Sequence, residues 1–102
     1  MIALIEQHCA ELADICRQFH VKSLELFGSA ADGTFDPSRS DVDFLVEFLP
    51  EASGAIFGGY FDLKESLQRL LGRNVDLVMP QAIRNRILRD SVNRHRKLVY
   101  AA

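Results

Sequence analysis

The sequence predicts an α/β domain: a small mixed sheet of three to four strands flanked by helices, in the order αβαβαβα. Two amphipathic helical patterns, at residues 2–19 and 59–71, alternate with strand patterns at 21–27, 41–48 and 74–79. A length of 102 residues is typical of a single domain, which we expect to span residues 1–102. No apolar run approaches the roughly 18 residues of a membrane span, so no membrane association is expected.

The first helical pattern contains both cysteines. Its apolar side chains recur at intervals of three or four residues, namely Ile5, Cys9, Leu12, Cys16 and Phe19. Cys9 and Cys16 would lie on one face about 10 Å apart, which is too far for a disulfide. We therefore expect two reduced core cysteines in a cytoplasmic protein. The N-terminal stretch lacks a basic leader, so a secretory signal is not expected.

Strand and turn residues dominate the next segment. VKSLELF at 21–27 predicts a first strand that ends at Gly28, and DVDFLVEF at 41–48 predicts a second. The loop between them is rich in turn-forming residues, including Gly33 and Pro37.

The second half repeats the helix–strand alternation. The apolar face predicted for helix 59–71 comprises Tyr60, Leu63, Leu67, Leu70 and Leu71. Gly72 stands where a C-cap glycine belongs, and NVDLVM at 74–79 predicts a third strand. AIRNRILRDSV at 82–92 predicts a further helix, and KLVY at 97–100 is either an edge strand or a docked tail.

Carboxylates occupy the second and third strands, where aspartate is normally depleted. Alternation places Asp41 and Asp43 on one face of the second strand, roughly 7 Å apart, and Asp76 lies within the third. Two like charges at 4 Å repel by about 4 kcal/mol at an effective dielectric of 20. Mg²⁺ would offset this repulsion, since it prefers hard oxygen ligands. Taken alone, an Asp-x-Asp pair is more often a pair of solvated strand residues than a metal site.

The turn after the first strand favours the metal interpretation. Gly28 and Ser29 are followed by the small residues Ala30 and Ala31, so a phosphate could approach backbone N–H groups without obstruction. The Ser29 hydroxyl adds one donor. An isolated Gly-Ser pair is commonly a plain turn, so the combination with the aspartates carries the prediction.

Residues 24–92 resemble the minimal nucleotidyltransferases of the DNA polymerase beta superfamily. The resemblance lies in the strand–Gly-Ser turn, an eleven-residue loop at 30–40, the Asp-x-Asp strand and the GRNVDLV segment with its arginine-rich continuation. It implies a nucleotidyltransferase core that transfers AMP from ATP with two Mg²⁺ ions. By resemblance, Gly28 and Ser29 contact the triphosphate, and Asp41 and Asp43 ligate metal. Asp76 would ligate the catalytic ion and help activate the acceptor hydroxyl.

Two departures from the family pattern bear on activity. The loop at 30–40 has eleven residues where ten are usual. Asp32 stands where the family usually has an arginine, and an acid there would repel a triphosphate. A second hypothesis is therefore a weakly active or inactive chain that neutralises a partner by binding alone. A phosphatase or sugar transferase using Asp-x-Asp fits the sequence less well.

The chain's size and charge suggest its partner. A net charge of −2 argues against direct nucleic-acid binding, and 102 residues leave no room for the substrate domain of larger relatives. The resemblance implies a HEPN-type toxin partner, modified at a tyrosine, with this chain as the antitoxin in a hetero-oligomer. The basic segment 84–97 would then be a solvated surface or a contact for phosphates, an acidic protein or RNA. The three histidines lack zinc-ligand spacing.

Overall fold

A computed structural model describes residues 2–28, 31, 33, 36, 41–50, 56–79 and 96–102, except for the side chains of 56–58. Helices α1 (Ala3–Glu6) and α2 (Cys9–Gln18) precede strands β1 (Val21–Phe27) and β2 (Val42–Phe48). Helix α3 (Ile56–Leu71), strand β3 (Val75–Val78) and strand β4 (Lys97–Ala101) follow. In this described part of the chain, no helix combines the length and apolar character needed to span a membrane.

The strands form one mixed sheet in the order β3-β2-β1-β4. β1 pairs antiparallel with both β2 and β4, whereas β2 and β3 are parallel and are joined through α3. A parallel pair requires such a crossover, because the chain must return to the starting edge of the sheet.

The core lies between the sheet and the two longer helices. One face of the sheet, here called the helix face, contributes Leu24, Leu26, Val42, Phe44, Val46, Val75 and Leu77 to it. The helices contribute Leu12, Cys16, Leu63, Leu67 and Leu71, all at most 5% exposed. Burying each large aliphatic side chain contributes about 1.5–3 kcal/mol. This single continuous cluster holds the strands that carry the aspartates in place.

Most predicted elements are confirmed. The bounds of β1 agree to the residue, β2 begins one residue late, and α3 begins three residues early. Gly72 adopts φ +68°, and its N–H donates to the Gln68 carbonyl at 2.8 Å, as a C-cap glycine should. Residues 97–101 form an edge strand, not a docked tail. The helix predicted at 82–92 lies outside the described residues.

The prediction of one continuous helix over residues 2–19 is wrong. The His8 imidazole Nδ1 lies 2.8 Å from the Leu4 carbonyl, which would accept the His8 backbone N–H in an uninterrupted helix. That backbone N–H donates instead to Ile5, at 3.1 Å. The side chain thus replaces the backbone donor and separates α1 from α2.

The expectation of two core cysteines is half correct. Cys16 is fully buried among the core residues, whereas Cys9 is exposed. Cys9 is the first residue of α2, directly after the break, so it does not lie inside a continuous buried helical face.

Candidate active site

The site begins at the turn that ends β1. Gly28 follows the strand with φ +66°, a left-handed backbone conformation that residues other than glycine rarely adopt. Its carbonyl accepts the Ala31 N–H at 3.0 Å, which closes a tight turn. Gly28 therefore lies against the neighbouring strand β2, at the position of Asp43.

Strand pairing brings two of the three predicted carboxylates together. Asp43 on β2 is directly opposite Phe27 on β1 and Asp76 on the parallel strand β3. Residues opposite one another in adjacent strands point to the same side of the sheet. Asp43 and Asp76 thus share the sheet surface opposite the helix face, which we call the carboxylate face (Phe27, Asp43, Leu45, Asp76 and Val78).

Asp43 is held in an environment that disfavours its charge. Burial of the half-buried carboxyl is the main cause, and a hydrogen bond with Asp76 and the charges of Asp76 and Asp41 add to it. Together they raise the pKa of Asp43 to about 7. Near neutral pH the Asp43 carboxyl is therefore protonated for much of the time.

Asp41 lies just outside the strand that the sequence predicts for it. It is exposed and lies just before β2, where the adjacent Val42 N–H donates to the Asn74 carbonyl at 3.1 Å. Among the described residues, no three metal-ligating side chains are close enough to form a complete site. The two carboxylates that do meet are hard oxygen donors, and their mutual repulsion is relieved by a cation, so this donor set fits Mg²⁺.

The sequence did not reveal an apolar patch beside the carboxylates. Leu45 is only 3% exposed although it lies on the carboxylate face, and Phe27 and Val78 pack against it. Alternation within β2 placed Leu45 beside the aspartates, but its burial depends on residues from other strands. The apolar residues Phe27 and Val78 in the neighbouring strands were the sequence signal for this patch. They lower the polarity around Asp43.

Two side chains of α3 also support the site without having been predicted. The Tyr60 hydroxyl donates to the Leu77 carbonyl, and Gln68 Oε1 accepts the Val75 N–H at 3.3 Å. These contacts lie on either side of Asp76 in β3. Tyr60 and Gln68 are eight residues apart, which corresponds to about two helical turns. This spacing could be interpreted only once the position of β3 was known.

Other predicted site residues lie outside the described residues. These include Ser29, Asp32 and most of the basic segment 84–97. Of that segment, Arg96 is described, and its guanidinium Nε lies 3.0 Å from the Glu25 carboxylate on β1. At least one of its cations is therefore paired within the chain.

Comparison with known proteins gives the family of this chain. Residues 9–99 match the nucleotidyltransferase domain family. A candidate protein adenylyltransferase of Methanocaldococcus jannaschii is 36% identical over 89 residues, covering 87% of this chain and 84% of its own. Protein adenylyltransferase MntA of Thermococcus cleftensis is 34% identical over 98 residues, covering 96% and 89%.

Solved structures extend the similarity to the fold. A candidate minimal nucleotidyltransferase superposes with a TM-score of 0.72 at 28% identity, covering 90% of this chain and 89% of that one. The MNT antitoxin in complex with a tri-AMPylated HEPN toxin of Shewanella oneidensis gives a TM-score of 0.60 at 19% identity, covering 96% and 73%. The second of these shows the likeness of fold alone. On the match across residues 9–99 and the identity to its relatives, this chain belongs to the nucleotidyltransferase domain family.

Proposed function

We propose that this chain transfers AMP from ATP to a hydroxyl group, most simply a tyrosine, of a HEPN-type toxin and thereby acts as its antitoxin. The single observation that carries the proposal is the placement of Asp43 opposite Asp76, beside the glycine turn that ends β1. A plain structural domain would gain nothing from pairing two carboxylates on adjacent strands, since they repel each other.

Three carboxylates would hold the metal in this proposal. Asp43 and Asp76 would bind Mg²⁺ directly, and Asp41 would join them. When bound, two such ions activate the acceptor hydroxyl and neutralise charge on the leaving pyrophosphate. Cation binding would displace the proton that Asp43 retains because its pKa is raised, so both carboxylates would become ligands.

Asp76 is placed to act on the acceptor. It is exposed on the short strand β3 at the edge of the sheet, where a second protein can reach it. In the transfer, the acceptor oxygen would bond to the α-phosphorus of ATP while the bond to the pyrophosphate oxygen breaks. The Asp76 carboxylate would receive the hydroxyl proton.

The partner and nucleotide are inferred from the relatives. Two relatives above 30% identity carry protein adenylyltransferase names, and structures of the same fold are toxin–antitoxin complexes, one of them with AMP-PNP. Activity would place the chain in the cytoplasm, where ATP and Mg²⁺ are available.

The test is to incubate the chain with a HEPN-type toxin, ATP and Mg²⁺, and to weigh the toxin by mass spectrometry. We expect mass gains in steps of one AMP, each on a tyrosine peptide. Asp43→Asn should abolish the gain and leave the fold intact, because it removes a repelling charge and no core contact. Asp62→Asn, the same change at an exposed position of α3, should transfer normally.

The second candidate function is neutralisation by contact alone. It is favoured by Asp32, which stands where the family usually has an arginine and lies outside the described residues. Full neutralisation of the toxin by both wild type and Asp43→Asn, with no mass gain in either, would establish that function and exclude the transferase.

A further inference from the structure

Gly28 and Asp43 are in closer contact than two ordinary residues could be. A Cβ atom added to Gly28 would lie 3.3 Å from Asp43 Cγ and 3.6 Å from Asp43 Cβ. It would come closer still to Asp43 Oδ2, well inside van der Waals contact. The Asp43 carboxyl thus occupies the volume that a side chain at position 28 would need.

We propose that Gly28 is a positioning residue whose missing side chain leaves the space in which the Asp43 carboxyl lies opposite Asp76. This inference rests on the proposed function, because it assigns Gly28 a role in forming the cation site. The role is distinct from contact with a triphosphate, and it would operate before any nucleotide binds.

The geometry indicates how a side chain at position 28 would act. Asp43 has a short side chain with two rotatable bonds, and its backbone is fixed by pairing with both β1 and β3. A methyl group at position 28 would therefore turn the carboxyl away from Asp76, because the strand itself cannot move. The two carboxylates would no longer converge on one cation.

The chain supplies a matched control for the backbone effect. Gly72 adopts φ +68°, close to the +66° of Gly28, but a Cβ atom added there would meet nothing within 4 Å. Gly28→Ala and Gly72→Ala therefore introduce the same left-handed strain. Only Gly28→Ala adds the collision with Asp43, so the difference between the two variants measures that contact.

The first experiment measures Mn²⁺ binding by electron paramagnetic resonance, at pH 8 and without nucleotide. We expect Gly28→Ala to weaken Mn²⁺ binding by about tenfold or more, as removal of supporting residues around metal ligands commonly does. Gly72→Ala should change it by less than about twofold. Wild-type Mn²⁺ affinity in Gly28→Ala together with reduced ATP affinity would overturn the proposal in favour of a phosphate contact.

The second experiment combines each glycine variant with Asp43→Ala and measures the melting temperature. Without the carboxyl, the Cβ atom of residue 43 is the one that remains of the three nearest atoms, at an ordinary 3.6 Å. The melting-temperature shift caused by Gly28→Ala should therefore differ by about 3 °C or more between the wild-type and the Asp43→Ala backgrounds. The shift caused by Gly72→Ala should be the same in both.

These outcomes separate the proposal from the proposed function. If wild type binds no Mn²⁺, the proposed function fails, and the melting temperatures still decide whether Gly28 positions Asp43. If Gly28→Ala alone does not fold, Gly28→Ala/Asp43→Ala must fold for the proposal to stand. The proposal would be refuted if the double variant failed to fold while Gly72→Ala folded. It would also be refuted if Gly28→Ala shifted the melting temperature equally in both backgrounds.

Discussion

At Asp43, folding places a carboxyl group where its charged form is disfavoured by burial and by the neighbouring Asp76. Because the pKa of Asp43 is raised to about 7, the folded chain binds a proton there more tightly than the unfolded chain does. Stability linked to this proton is fully present below the unfolded pKa of roughly 4. It is lost as the pH rises through about 7.

We therefore predict that, without divalent cations, the free energy of unfolding falls between pH 4 and pH 7 and then levels off. Solvent screening of the half-buried group limits the expected loss to roughly 1 kcal/mol. Asp43→Asn should flatten this pH dependence and be the more stable protein at pH 8. Urea denaturation across the pH series measures both effects, with Asp62→Asn as the control.

Mg²⁺ should reverse the effect, since it binds the ionised pair. At a concentration of 100 times its Kd, a ligand of the folded state stabilises it by about 2.7 kcal/mol. That gain should be larger at pH 8 than at pH 5, and absent from Asp43→Asn. Equal stabilisation of wild type and Asp43→Asn by Mg²⁺ would contradict the assignment of Asp43 as a ligand.

The two cysteines allow a separate test of the first helices. Burial raises the pKa of the Cys16 thiol to about 12, which the nearby Arg17 guanidinium offsets only in part. The reactive thiolate is therefore scarce at Cys16, whereas Cys9 is exposed. We predict that iodoacetamide at pH 8 modifies Cys9 in the native protein and both cysteines in urea, as peptide mass mapping would reveal. Native modification at Cys16 would show that α2 does not pack as described.

At the scale of elements, α3 fixes the strand that carries Asp76. β3 has four residues and lies at the edge of the sheet, where β2 is its only partner among the described strands. Tyr60 and Gln68 add hydrogen bonds to its backbone on both sides of Asp76. A helix packed on the helix face thereby stabilises a carboxylate on the opposite face.

We predict that Tyr60→Phe loosens β3 and lowers cation affinity. Loss of one such hydrogen bond should cost about 1 kcal/mol of stability. It should also speed amide hydrogen exchange in residues 75–78 relative to β1. Tyr100→Phe is the matched control, since the Tyr100 side chain packs against the same core and its hydroxyl has no hydrogen-bond partner among the described residues. Equal effects of the two variants would rule out a specific role for the Tyr60 hydroxyl.

The elements differ in how far the sequence determines them. β1 was predicted to the residue because its strand-forming residues end at Gly28, and the structure has a positive φ there and at His20 on the other side. The break at His8 was missed because a side-chain hydrogen bond to Leu4 leaves the apolar spacing unchanged. The aspartates were recognised from alternation and resemblance, but the contact between Asp43 and Asp76 depends on the parallel register of β2 and β3. Long-range pairing of that kind is not encoded in any local pattern.

On the scale of the whole molecule, the sheet separates structural and chemical roles. The helix face holds the continuous core, and the carboxylate face holds Asp43 and Asp76. Among the described residues, each side of the sheet also carries one large exposed apolar side chain. Leu98 of β4 is 55% exposed and lies opposite Glu25, in the row that continues through Leu45. Phe61 of α3 is 64% exposed on the helical side.

This distribution leads to a prediction about the direction from which the acceptor protein binds. A hydroxyl that reaches Asp76 must approach the carboxylate face. Three strand spacings place β4 roughly 14 Å from β3, and a typical interface of about 800 Å² per partner extends beyond that distance. We therefore expect Leu98 to lie within the contact with a HEPN-type partner and Phe61 to lie outside it.

Truncating each side chain in turn tests that orientation by calorimetry with the partner protein. Leu98→Ala should weaken binding by about tenfold, which corresponds to roughly 1.4 kcal/mol, because it removes apolar area from a desolvated contact. Phe61→Ala should leave the affinity within about twofold, and both variants should keep the Mn²⁺ affinity of the wild type. The reverse pattern, with Phe61→Ala weakened and Leu98→Ala unchanged, would place the partner on the helices, too far from Asp76 for transfer. Neutralisation would then have to proceed by contact alone.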